Sequence, residues 1–404
     1  MKCIKKILRK CLSVLINILW GVPLALMCLS RKFISKERHE FLVNRFAVHF
    51  AKLFSKFSKY YCMIEFLPKE AKDITARNLL TDTKQNEYAV VIQGPVLNGF
   101  TAESIRIYRK ILPKAVIIVS TWTGTDKKLL EELQGLADEV ILNEPPKTSG
   151  IMNINYQAKS SYAGMKKACE LGIPYAFKVR SDLRIYLPLA FEYLKTLLEL
   201  FPLEKSCQHL QKERIIASSG SRLDYPYWLQ DHFYFGTSHD LLNFFDFPPD
   251  TRNFNGQTGS WGQLRLSNKK WAKRLDCPPE IALTKSYVKR FSSGKCESTV
   301  KNFWEDIRRR FLIISRSDIG MYWDKYSHTL LNFWNIAKAP IYERESFDTQ
   351  LSLSLLKGHL LYCSELEEFA KDRVEVFENL GTFCSGYELR DEVLKDFPML
   401  RGEE

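Results

Sequence analysis

No Cys-x-x-Cys pair occurs among the ten cysteines of this chain, Cys3, Cys11, Cys28, Cys62, Cys169, Cys207, Cys277, Cys296, Cys363 and Cys384. Cysteines so widely scattered make neither a zinc-ligand set nor a dense disulfide framework, and they suit a reducing compartment. The G-x-x-x-x-G-K-[ST] loop is also missing, which speaks against P-loop phosphate chemistry. No internal repeat or low-complexity tract interrupts the 404 residues. A chain of that length carries one large domain with an appendage, or two modest domains. The first apolar run ends Leu26-Met27-Cys28-Leu29-Ser30 without a small-x-small cleavage site, which disfavours a cleaved signal peptide.

What is present is an uneven charge. The net charge is +12, yet residues 1–59 hold thirteen Lys and Arg against two acidic residues, and residues 341–404 hold seven against fifteen. Positive charge concentrated beside the most apolar segment suits an anionic membrane surface better than nucleic acid, and no specific nucleic-acid partner is expected. That segment, Cys11 to Leu29, has no charged residue and has Lys or Arg on both sides. It could just span a bilayer, lie on it, or form a buried core helix. From Phe33 to Tyr61, Phe46, Phe50, Leu53, Phe54, Phe57 and Tyr61 fall at helical spacing between Arg45, Lys52, Lys56 and Lys59, the pattern of a basic amphipathic helix.

After a polar connector near 69–87, strand and helix signals alternate. Strands are expected at Tyr88–Ile92, Ala115–Thr121, Glu139–Leu142, the apolar run that carries Arg180 and Asp182, Arg214–Ser219, His232–Gly236 and Phe311–Ile314. Helices are expected at Thr101–Leu112, Asp126–Leu136, Asn153–Leu171, Thr258–Trp271, Glu280–Lys289 and Phe303–Arg310, with two or three more after Tyr342. Such alternation implies an α/β fold with a mainly parallel, Rossmann-like central sheet flanked by helices, binding ligands beyond the C-terminal strand ends. The expected units are a membrane-associated helical segment (1–68), a catalytic domain (69–340) and an acidic helical extension (341–404).

The segment Tyr175-Ala176-Phe177-Lys178-Val179-Arg180-Ser181-Asp182-Leu183-Arg184 carries the sharpest chemical signal. A buried strand ending in Arg-Ser-Asp-x-Arg would deliver one carboxylate and two guanidinium groups to an open edge. Asp182 could hold a divalent cation, Mn²⁺ or Mg²⁺, while Arg180 and Arg184 pair with diphosphate oxygens in forked geometry. A surface ion-pair cluster fits the same ten residues. Gln93, Gly94 and Pro95, at the exit of the first strand, suit close approach of a nucleotide or a plain turn. Thr121 ends the second strand. Asn155 and Gln157 stand near a helix N-terminus, a natural anion site, although Asn155 could simply be a cap. Asp231, beside His232, and then Glu280 are the candidates for a base that takes the proton of an acceptor hydroxyl; a structural ion pair or helix cap serves either equally well.

Taken together, Val90-Val91-Ile92-Gln93-Gly94-Pro95, Ile118-Val119-Ser120-Thr121-Trp122, Asn153-x-Asn155-x-Gln157-x-x-Ser160-Ser161 and Lys178 to Arg184 resemble the WavE lipopolysaccharide synthesis family. The resemblance extends through Asp231-His232-Phe233-Tyr234-Phe235-Gly236, Pro279-Glu280 and Asp318 to Tyr326. It implies a GT-A-like glycosyltransferase that uses a nucleotide-sugar donor and a glycolipid or oligosaccharide acceptor, such as lipopolysaccharide core. The site would be the cytoplasmic face of a bacterial inner membrane. The D-x-D pair common in GT-A enzymes is replaced here by Ser181-Asp182-Leu183, with one carboxylate. Alternative functions are nucleotidyl or phosphoryl transfer to a membrane-linked substrate, or a non-enzymatic basic scaffold binding membrane or nucleic acid.

Overall fold

The computed structural model describes residues 31–57, 67–74, 87–208, 210–218, 227–251, 279–291 and 300–324. The apolar run 11–29, the helix expected at 258–271, the expected boundary at 340 and the acidic region 341–404 lie outside the described residues. The chain divides into two compact units, Met1–Pro68 and Lys69–Glu404.

In the first unit, α1 spans Lys36–Phe57, with Glu37 in its first turn and Lys56 in its last, signs that suit the helix dipole. In the second, a seven-stranded sheet is built from β1 (Tyr88–Gln93), β2 (Val116–Trp122), β3 (Glu139–Asn143), β4 (Tyr175–Arg180), β6 (Ile215–Ser218), β7 (Gln230–Thr237) and β8 (Phe311–Ile314). Its order is β3-β2-β1-β4-β7-β6-β8. All neighbours are parallel except β7, which runs antiparallel to both β4 and β6. A separate ribbon pairs β5 (Leu183–Arg184) with β9 (Tyr322–Trp323). The helices are α2 (Phe100–Ile111), α3 (Lys127–Gln134), α4 (Ile154–Glu170), α5 (Ala190–Leu200), α6 (Ser238–Phe245), α7 (Pro279–Lys289) and α8 (Val300–Arg310). Asp126, expected as a first helical residue, is instead the N-cap of α3, accepting from the backbone N–H groups of Lys128 and Leu129 at 3.0 and 3.2 Å.

Strand alternation sorts the core into two layers. Ala89, Val91, Ala176 and Ile313 pack with residues of α4, α6, α7 and α8 on one face of the sheet. Val90, Ile92, Phe177 and Val179 pack with residues of α2, α3 and α5 on the other. Each fully buried Val or Ile contributes about 1.5–3 kcal/mol over its exposed state. On the first face α4 comes so near that a Cβ at Gly164 would collide with the Val91 side chain, so only glycine lets helix and strand meet there.

Candidate active site

Parallel strands gather their C-terminal ends on one edge. There the backbone N–H of Ser181 donates to Gln93 O at 2.9 Å, and Gly94 N–H donates to Ser120 O at 3.2 Å. Gly94 has φ +122°, and a Cβ on it would stand 2.9 Å from Ser181 Oγ, so this turn requires glycine on both counts. Because β7 is antiparallel to β4, its beginning returns to the same edge. The last backbone pair is Val179↔Phe233, and just beyond it stand Arg180 and Asp182 from one side and Asp231 and His232 from the other.

Arg180 is held between two carboxylates. Its Nε and Nη2 donate to Oδ1 and Oδ2 of Asp182 at 2.9 and 3.0 Å, and its Nη1 donates to Asp231 Oδ2 at 3.0 Å. Burial alone would lower the Arg180 guanidinium, but the two aspartates outweigh it and push it further up. Burial likewise works to raise Asp182 and Asp231. Arg180, with help from the Trp323 hydrogen bond, pulls Asp182 below its usual value. Arg180 and Lys178 together bring Asp231 to about 2. Both aspartates are therefore anions at neutral pH. Beneath them, fully buried Lys178 donates to the backbone oxygen of Asp231 at 2.7 Å, and burial lowers it to about 8 against the pull of Asp231.

Trp323 of β9 closes this cluster. Its Nε1 donates to Asp182 Oδ2 at 3.0 Å, and its ring lies 5.4 Å from the Arg180 guanidinium and edge-on to His232 at 4.4 Å. His232 is buried, shares a hydrogen bond with Ser218 Oγ through Nδ1 at 3.1 Å, and is driven by burial to about 3, so it is neutral. Glu280, in the first turn of α7, has a buried Oε2 with no hydrogen-bond partner among the described residues. Burial, reinforced by the negative charge of Asp231, raises its carboxyl to about 8. The negative charge of Asp231 reaches Glu280, and the two carboxyls are pushed apart: one stays ionised, the other keeps a proton close to neutrality.

The remaining expected site residues separate into two groups. Gln93, Gly94 and Arg180 lie on the shared edge, with Pro95 in the turn beside them. Thr121 is the last residue but one of the neighbouring strand β2, with its hydroxyl 3.3 Å from that of Thr125. Arg184 and Asn155, by contrast, are turned into the fold. The Arg184 guanidinium stacks 3.9 Å over Phe100 and donates to Ser104 Oγ, Lys69 O and Phe100 O at 2.8–2.9 Å. Asn155 ties residue 250 to residue 148: its Nδ2 donates to Thr148 O and Asp250 O, and its Oδ1 accepts from Asp250 N. It is not the cap of α4, a position held by Asn153 without a side-chain bond. Gln157 lies in the first turn of α4, with Nε2 buried and unbonded among the described residues.

The residues around Asp182 do not fit the divalent cation expected there. Both its oxygens are already bonded, one to Arg180 and the other to Arg180 and Trp323. Among the described residues no group of three or more His, Cys, Asp or Glu side chains could hold a metal. The donor set is that of a guanidinium clamp.

A family profile described as WavE lipopolysaccharide synthesis matches residues 88–323, more than half of the chain. The chain belongs to the WavE lipopolysaccharide synthesis family. The match runs from the first residue of β1 to Trp323, so every member of the clamp lies inside the WavE region. No curated protein matches the chain. Among solved structures, it is similar to HddC from Yersinia pseudotuberculosis complexed with GMP-PN, at 10% identity and a TM-score of 0.25 over 42% of this chain and 84% of that one. It is also similar to a putative glucose-1-phosphate thymidylyltransferase from Bacillus anthracis in complex with a sucrose, at 12% identity and a TM-score of 0.28 over 50% and 83%.

Lys178 and His232 are the cluster members to which sequence reasoning gave no role, whereas Trp323 stands among the tryptophans able to stack on a sugar or base, with core packing the simpler reading. A lysine inside the apolar run Tyr-Ala-Phe-Lys-Val was a usable signal, since a buried lysine needs a partner. Nothing in the local pattern pointed to the bond from Trp323 to Asp182, because the two lie 141 residues apart.

Proposed function

We propose that this WavE protein is a glycosyltransferase moving a sugar from a nucleotide-sugar donor to a hydroxyl of a lipopolysaccharide-type glycolipid or oligosaccharide. The observation that carries this reading is the Arg180 clamp. Among the described residues three of its five N–H groups are engaged, which leaves one N–H on each of Nη1 and Nη2. Its side chain keeps 25% exposure while those of Asp182 and Asp231 keep 12% and 10%, so the cation is the part of the cluster that meets solvent. A fixed guanidinium with two N–H donors to spare suits the charge that develops on a departing nucleoside diphosphate.

Glu280 supplies the proton acceptor. As the acceptor oxygen bonds to the anomeric carbon, its proton passes to the ionised Glu280 carboxylate, and the bond from that carbon to the diphosphate breaks with its electron pair leaving on the phosphate. A base raised to about 8 stands near the operating pH, where general-base catalysis is most effective. Asp231, at about 2 and bonded to Arg180, holds the clamp in place and is too weak a base for that task. The family description supports the glycan class of the acceptor.

The test is release of nucleoside diphosphate by the full chain from a panel of nucleotide sugars, with a lipopolysaccharide-core acceptor. Release with one donor, lost in Arg180→Lys, supports the reading. Pyrophosphate as product would replace it with nucleotidyl transfer, and retention at the anomeric carbon would remove Glu280 from its role.

A further inference from the structure

Helix α1 presents a basic stripe between two apolar margins. Arg38, Arg45 and Lys52 recur at seven-residue intervals and Lys56 follows four residues on, so the four share one line along the helix. Phe41 and Val48 border that line on one side, and Leu42 and Leu53 on the other. Phe41, Leu53 and Phe57 are 61%, 39% and 80% exposed, a large uncovered aromatic and aliphatic area for a single helix. The Arg45 guanidinium lies 5.9 Å from the Phe41 ring and the Lys56 ammonium 5.5 Å from the Phe57 ring, with the cations laid along apolar surface. Both acidic residues, Glu37 and Glu40, precede Phe41, and from Phe41 to Phe57 there is none.

Among the described residues no helix is long and apolar enough to cross a membrane. We propose that α1 lies in the surface of an anionic lipid bilayer, with Phe41, Leu53 and Phe57 at the acyl boundary and Arg45, Lys52 and Lys56 at the headgroups. Charge complementarity selects this occupant. A second copy would set one basic stripe against another, whereas the boundary between headgroups and acyl chains meets the stripe and its apolar margins together. The proposal does not depend on the transferase reading, because it concerns binding alone.

Co-sedimentation of the full chain with vesicles tests it, using phosphatidylcholine alone and an equimolar mixture of phosphatidylcholine and phosphatidylglycerol. Binding to the mixed vesicles that weakens with salt is expected, with little binding to phosphatidylcholine alone. Replacing Arg45, Lys52 and Lys56 together by Gln should weaken partition roughly 100-fold, and Phe41→Ser with Phe57→Ser should weaken it independently. These residues are exposed, so far-UV circular dichroism should match the parent. Equal binding to both vesicle types, or unchanged binding in the triple variant, overturns the proposal. So does self-association that the triple variant abolishes. So does mixed-vesicle binding that appears only after residues 341–404 are removed, which would make that acidic segment the occupant.

Discussion

Arg180 and Asp182, two residues apart, face each other through two parallel hydrogen bonds of 2.9 and 3.0 Å. Residues i and i+2 on a continuous strand point the same way without touching so closely. Here β4 ends at Arg180 and the chain turns at Ser181-Asp182, so the carboxylate swings back onto the guanidinium. The clamp is a property of the strand's end.

Arg180→Lys keeps the charge and loses the fork. Transfer should fall by about 100-fold, the loss usual for one preorganised charge donor, and unfolding free energy by about 1–3 kcal/mol. Steady-state kinetics and urea unfolding measure the two. A variant with the parent's rate would show that a point charge suffices.

Glu280 links the site to pH. Its folded value of about 8 exceeds its ordinary 4.5, so the fold holds this proton more tightly than the unfolded chain does. The associated stabilisation is complete below 4.5 and is lost as pH rises through about 8. Glu280→Gln does not titrate. Its melting temperature should therefore gain on the parent's between those values, while the parent's transfer rate climbs toward pH 8 and the variant's stays low and flat. Parallel melting curves across the range would contradict the assignment.

Trp323→Phe preserves the ring beside His232 and removes the N–H bonded to Asp182. A loss of about 1–2 kcal/mol in stability is expected, together with slower transfer from a looser clamp. If Trp323→Phe equals the parent in both while Trp323→Ala fails, ring packing alone is what the residue contributes.

Gly94→Ala forces a side chain into φ +122° and toward Ser181 Oγ. It should cost about 1–3 kcal/mol. Adding Ser181→Gly removes the collision but leaves the backbone strain, so partial recovery of unfolding free energy is the expected double-variant result. Full recovery would assign the whole cost to the collision.

Much of this architecture could be read before the fold was seen. Tyr88–Gln93, Val116–Trp122 and Phe311–Ile314 are apolar runs bounded by turn residues, and they became strands within a residue or two of expectation. Helices such as Phe100–Ile111 carried an apolar stripe and were equally visible. Strand direction was not: β7 is buried on both faces, and a strand of that kind reads the same whether its neighbours run with it or against it. Arg184 misled for a related reason. In an unbroken strand Arg180, Asp182 and Arg184 would share a face, but the turn at Ser181-Asp182 sends Arg184 into the β5–β9 ribbon and onto Phe100. Asn155 was placed correctly near a helix start, yet its amide is spent on Thr148 and Asp250, a contact across 95 residues that no local pattern reveals. Asp231 and Glu280 were both named as bases; only their surroundings tell the permanent anion from the proton carrier.

The bond from Trp323 to Asp182 crosses 141 residues of sequence. On the ribosome, Arg180 and Asp182 emerge together, Asp231 joins them some fifty residues later, and β9 comes last. A nascent chain can therefore build most of the sheet while its clamp is still open, and the cluster closes only once translation has passed Trp323.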